Sequence, residues 1–133
     1  MEILSLGQKI KKLRKEKNIS LSELGGDFVS KAQLSLVENN KRSPNIKLLK
    51  YLADKLDTTL EYLMETESQQ AIKYCNLYLT EMESQIELMN FKRINALYSQ
   101  VVKLGEEYEL ISALGRVNLL LGQGYYKDSQ LEN

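Results

Sequence analysis

The sequence predicts an all-α protein in which a cluster of short helices is followed by longer ones. Three observations predict it. Apolar residues recur at helical spacing almost throughout, with no β-branched alternating runs. Pro44 is the only proline among the 133 residues. Two serines, Ser20 and Ser30, each stand three residues before a Glu or Gln (Glu23 and Gln33), the arrangement in which a hydroxyl and a later side chain satisfy the free amides at a helix start.

Taken in order, Ile3, Leu6, Ile10 and Leu13 form one stripe and predict a first helix near 3–16. Asn18 follows where the chain must reverse, and Asn tolerates the left-handed conformation that such an end requires. Ser20 opens a second helix near 21–27 with Leu24 and Phe28 facing inward, and Ser30 a third near 31–39 with Leu34 and Val37 inward. Asn45 caps a fourth over 46–56, carrying Ile46, Leu49, Leu52, Ala53 and Leu56. Thr58 or Thr59 caps a fifth ending near Met64. Beyond "METESQQ" the helices lengthen: 68–88 with Ile72, Cys75, Leu79, Met82 and Ile86 on one face, 91–104 stopping at Gly105, and 106–121 stopping at Gly122. The ending "GQGYYKDSQLEN" reads as a turn and the opening of a further helix that is interrupted. The expected division is 1–65 and 66–133.

Composition excludes several classes. With no histidine and one cysteine, Cys75, neither a Cys/His zinc site nor a histidine-dependent hydrolase can be assembled. No other catalytic constellation appears, no cofactor motif is present, and the dispersed carboxylates read as solvated helix faces; an enzyme is not expected. Apolar runs are too short to span a bilayer and the N-terminus lacks a signal-peptide pattern, so the cytoplasm is the default. The net charge of zero is unevenly spread. Residues 1–50 hold 11 Lys/Arg against 5 Asp/Glu, a net of +6, and residues 51–133 hold 7 against 13, a net of −6. A basic first third suits a phosphate-binding surface and an acidic remainder would be repelled by it.

Two short helices joined by a tight turn, the second opening with small polar and basic residues, form a helix-turn-helix. The major groove of DNA admits one α-helix, whose leading residues reach base edges while its free amides face phosphates. At "LGQKIKKLRKEKNISLSELGGDFVSKAQLSLVENNKRSPNIKLLKYLADKL" the sequence resembles the five-helix, lambda-repressor-like domain of the Xre/phage-repressor family, through L-G-x-x-I-x-x-L-R, I-S-x-S-x-L, S-K-x-Q-L-S-x-x-E and R-S-P. It departs from that pattern at Leu21, where relatives carry a phosphate-contacting glutamine, at Gly25, where they carry alanine, and in a shorter turn without its usual glycine. The shorter turn and S-K-x-Q-L-S are more similar to the Rgg/PlcR branch, in which such a domain precedes tetratricopeptide-like hairpins. That resemblance implies control by a signalling peptide.

On the third helix, Lys31, Ala32, Gln33 and Ser35 are expected to face the major groove. Lysine can donate to guanine, glutamine can pair with adenine, and alanine can meet a thymine methyl. Gln33 has a second reading, completion of the cap on Ser30. Ser30, Asn39, Lys41 and Arg42, with Lys9 from the first helix, are expected at phosphates, setting register without reading sequence. The family resemblance implies an ion pair between Arg14 and Glu38 that fixes the recognition helix from behind.

The tail is dense in tyrosine: Tyr74, Tyr78, Tyr98, Tyr108, Tyr125 and Tyr126. Packing at helical spacing accounts for them, and so would a peptide groove or dimer seam. A few helices cannot bury all their apolar faces, and a two-fold dimer would set two recognition helices one DNA turn apart, so a homodimer on a palindrome is expected. The partners expected are therefore double-stranded DNA, a second copy, and a signalling peptide or antagonist protein. Three alternatives stand beside a peptide-controlled regulator. One is a SinR-like repressor held by an antagonist protein, one a longer regulator of which this chain is a truncated part, and one a protein-interaction module that does not use DNA.

Overall fold

A computed structural model describes residues 2–132, among which there are eight helices and no strand. They run α1 (Leu6–Glu16), α2 (Leu21–Gly25), α3 (Lys31–Glu38), α4 (Ile46–Lys55), α5 (Leu60–Met64), α6 (Glu67–Glu87), α7 (Phe91–Glu107) and α8 (Ile111–Glu132). The chain divides into two compact units, one over Glu2–Glu67 and the other from Ser68 onward.

In the first unit every helix start is fixed by a side-chain cap. Ser20, Ser30, Asn45 and Thr59 each accept the amide three residues on, which removes one orphan donor per helix. Ser5 does the same for α1, with a full capping box to Gln8, so that helix begins at Leu6 and not near Ile3. Ile10, Leu24, Leu34, Val37, Leu49, Leu52, Leu56 and Leu63 close one core. Two residues expected inside are not. Ile46 is 47% exposed at the start of α4, and Phe28 is 53% exposed. Phe28 lies instead on the surface, stacked on Tyr51 with ring centroids 4.4 Å apart.

The second unit departs from expectation at its helix ends. α7 runs through Gly105, and α8 runs unbroken through Gly115, Gly122 and Gly124 to Glu132, so there is no turn at Gly122. Gly105 is buried against Leu114, which approaches so closely that a Cβ there would lie 2.6 Å from it. The actual reversals are at Met89 and Glu109, which take the left-handed conformation at φ 55° and 56°. Met89 carries the paired backbone bonds of a helix C-terminus, Met89 N–H to Ile86 O with Asn90 N–H to Gln85 O, and past Glu109 the Leu110 N–H returns to Gly105 O. Cys75, Leu79, Met82 and Ile86 of α6 are buried, as are Ile94, Leu97, Val101 and Leu104 of α7 and Val117 and Leu120 of α8. Ion pairs tie α6 to its neighbours at Glu81–Arg93 and Glu83–Arg116, both 2.7 Å, and at Glu87–Lys127, 3.0 Å.

Candidate nucleic-acid interface

The turn between α2 and α3 is built locally. Gly26 ends α2 at φ 50°, a left-handed position that suits a residue without Cβ. Phe28 N–H and Val29 N–H then both donate to Gly25 O, at 3.0 and 3.2 Å. Tyr51 of α4 closes the turn from outside, its hydroxyl donating to Leu24 O at 2.8 Å and Gly25 O at 3.0 Å. These are α2's last two carbonyls, at the end where the helix's own hydrogen-bond ladder runs out. Gly25 has its own reason: a Cβ would lie 3.3 Å from Leu34 and 3.5 Å from Val29. The tight α2–α3 approach takes the place of the alanine methyl.

α3 presents two different sides. Leu34, Val37 and Glu38 are buried, whereas Lys31, Ala32 and Gln33 are exposed and Ser35 half-buried. Ser30 caps Gln33 N–H at 3.2 Å, but the Gln33 side chain does not return to the Ser30 backbone as Gln8 and Glu23 do at their own caps. Its amide is left facing outward. Leu36, 41% exposed, shares the outward side at one turn from Ala32; its place off the Leu34–Val37 stripe predicts that side, although it was not among the expected groove contacts.

Behind α3 lies the brace. Arg14 Nε donates to Glu38 Oε2 at 2.7 Å and Nη2 to Oε1 at 3.0 Å, a bidentate pair, while Nη1 donates to Ile19 O at 3.0 Å. The side chains are 14% and 4% exposed, and bonding to Glu38 holds the Arg14 proton more firmly than usual. A second link comes from Asn40, in the left-handed conformation at φ 58°. Its Oδ1 accepts Gly7 N–H at 3.0 Å and its Nδ2 donates to Ser5 Oγ at 2.8 Å. Gly7 is required here, since a Cβ would come within 2.4 Å of Glu38 O.

Among the expected phosphate contacts, Ser30, Asn39, Lys41 and Arg42 are exposed at the two ends of α3 and the following turn. Asn39 Nδ2 donates to Ser35 O at 2.9 Å. Lys9 must be corrected. It is 1% exposed, its Nζ donating to Tyr62 O at 2.7 Å and Glu65 O at 2.6 Å and lying 5.0 Å from the Tyr62 ring centroid. The ammonium neutralises the negative C-terminal end of α5 and cannot reach a phosphate. Lys47 was missed: it is exposed on the first turn of α4 and, with Gln33, Arg42 and Asn45, walls a cleft of about 420 Å³ beside α3.

A braced helix with an outward polar and basic leading end, following a clasped turn from a shorter helix, defines a helix-turn-helix protein. Comparison with known proteins agrees. Residues 10–63 match the helix-turn-helix family. The chain is 40% identical over 62 residues to the HTH-type transcriptional regulator SinR of Bacillus subtilis (strain 168), covering 45% of this chain and 56% of that protein. It is 34% identical over 95 residues to SinR of Bacillus licheniformis, covering 65% of this chain and 86% of the relative. No solved structure matches the chain closely enough to count. The chain belongs to the Xre-type helix-turn-helix family of transcriptional regulators, a family of regulators and not of enzymes.

Proposed function

We propose that the protein is a sequence-specific DNA-binding transcriptional regulator that acts as a homodimer on a palindromic operator. The observation that carries this reading is the two-sidedness of α3. Its rear is locked by Arg14–Glu38, while the cations around its front, Lys31, Lys41, Arg42 and Lys47, have no ion-pair partner among the described residues. Lys31, Ala32, Gln33 and Ser35, joined by Leu36, enter the major groove; Ser30, Asn39, Lys41 and Arg42 hold phosphates. Promoter occlusion or recruitment follows from occupancy alone, and the working compartment is the cytoplasm, where the DNA is. The first unit reads the operator and the helices from 66 onward dimerise and receive the signal.

Selection of bound fragments from random DNA, followed by titration in increasing salt, tests this. A preferred palindrome is expected, with Lys31→Ala and Ser35→Ala changing the preferred bases. A shallow salt dependence with no preferred site would overturn the reading in favour of a protein-interaction module.

Two forms of control remain. The SinR relatives favour the reading in which an antagonist protein holds the C-terminal helices. Control by a signalling peptide, as in the Rgg/PlcR branch with its tetratricopeptide-like hairpins, draws support from an apolar groove of about 330 Å³ lined by Ile72, Cys75, Leu79, Leu110 and Ile111.

A further inference from the structure

The outward face of α8 has no partner within its own unit. Ile111, Leu119, Tyr126 and Leu131 are 83%, 63%, 67% and 69% exposed. The first three share one helical stripe with Gly115 and Gly122. A Cβ at either glycine would meet nothing within 4 Å, whereas one at Gly105 or Gly124 would touch Leu114 or Ile86. Glycine inside a helix costs stability relative to alanine, so nothing in this unit explains Gly115 and Gly122. The helix's Arg116 and Lys127 turn aside to Glu83 and Glu87, leaving the stripe without charge. Exposed aliphatic and aromatic side chains with charge removed are the composition of an interface core.

The order of residues identifies the occupant. About the midpoint between Leu120 and Leu121, the series Gly115, Leu119, Gly122, Tyr126 folds onto itself with large opposite small: Leu119 meets Gly122, and Tyr126 meets Gly115. A two-fold axis through that point makes the face complementary to its own reverse, which is the requirement for an isologous contact. A partner of unrelated sequence gives no account of this symmetry.

We infer that α8 is a self-association seam in which two copies pack antiparallel, Leu119 and Tyr126 of each entering the notches left by Gly122 and Gly115 of the other. This deepens the homodimer of the proposed function and rests on that reading only for its consequence at the operator. The helix is about 33 Å long, a modest contact beside a standard interface, so the association is concentration-dependent.

Sedimentation of the full chain from micromolar to submillimolar concentration tests it. The wild type is expected to approach twice the monomer mass. Leu119→Arg and Gly122→Leu, both on exposed positions, are expected to stay monomeric with no loss of helical circular dichroism, the glycine replacement raising the helix's intrinsic stability slightly. Register is tested by mixing L119C with G122C chains under mild oxidation, since Cys75 is buried. A disulfide between unlike chains is expected to dominate. A wild type that stays monomeric, variants that associate like wild type, or a dominant disulfide between like chains would each overturn the seam. Binding to a single half-site separates the readings: half-site binding by a chain that fails to associate sinks only the seam, and association without any DNA binding sinks only the operator reading.

Discussion

Removing one partner of the Arg14–Glu38 pair should destabilise the first unit far more than removing both. The carboxylate is 4% exposed and takes two charge-assisted bonds, so Glu38→Leu or Arg14→Met leaves the other charge in a site with little water. Breaking such a buried pair costs about 3–5 kcal/mol. A unit of this length has a total stability of only about 3–10 kcal/mol, so either single change removes a third of it or more. The melting temperature should fall by roughly 12–40 °C, at about 4–8 °C per kcal/mol for a small domain. The double change Arg14→Met/Glu38→Leu fills the same space without any charge and should recover at least about 2 kcal/mol relative to the sum of the single changes. Urea unfolding of the full chain, followed by far-UV circular dichroism and by protease resistance of the first unit, measures the cycle. A single-change cost under about 1 kcal/mol, the value of an exposed pair, or strict additivity in the double variant, would refute the brace.

Four further outcomes follow. Lys9→Met should cost about 1–3 kcal/mol, since the Tyr62 and Glu65 carbonyls lose their donor. It should leave the salt slope of DNA binding unchanged, while Lys41→Ala should reduce that slope by about one; fluorescence anisotropy in a salt series reads both. Gly7→Ala forces a methyl against the Glu38 and Val37 carbonyls and should destabilise by about 1–3 kcal/mol, seen in the same urea titration. Hydrogen bonds from Lys17 and Arg93 hold the Asp57 and Glu81 carboxyls below the usual carboxylate range. Their contribution is present above the unfolded carboxylate range and lost as pH falls, so Asp57→Asn and Glu81→Gln should each flatten the stability decline between about pH 5 and 2, an effect kept small by their exposure.

The first unit was legible because its helices announce their starts. Serine, asparagine and threonine caps act over three residues, and a local signal can be read locally. The same logic misread the second unit, where glycine was taken as a stop. Gly105 and Gly122 lie inside helices, and the reversals fall on Met89 and Glu109, residues with no special liking for the left-handed region. Packing overrides a propensity difference of about 1 kcal/mol, and nothing near Glu109 signals the override. Lys9 failed for a different reason. Its carbonyl partners lie more than 50 residues away, so only the folded chain reveals that this lysine is internal. Phe28 illustrates the same limit: its ring stacks on Tyr51, which sequence reasoning had not singled out. The Arg14–Glu38 pair, 24 residues apart, is also non-local and was expected only from the family resemblance.

The charge argument also changes once partners are known. Over residues 2–67 there are 12 Lys/Arg and 10 Asp/Glu, a net of +2, so the excess of the first 50 residues is largely cancelled within its own unit. Position then matters more than total. Four cations of α1 and its end are engaged, Lys9 with carbonyls, Lys12 with Glu2, Arg14 with Glu38 and Lys17 with Asp57, while Lys11 and Lys15 stay exposed. Those around the front of α3 are not engaged, which concentrates the surface field where a duplex would lie. A weakly charged unit binds DNA non-specifically with little strength, so its affinity must come from a few well-placed contacts. Three or four phosphates per unit correspond to a log–log salt slope of about −3 to −4, doubled for a dimer on a full operator. A slope far steeper than this would mean that cations beyond the front of α3 also reach the backbone, and the division between a braced rear and a binding front would have to be redrawn.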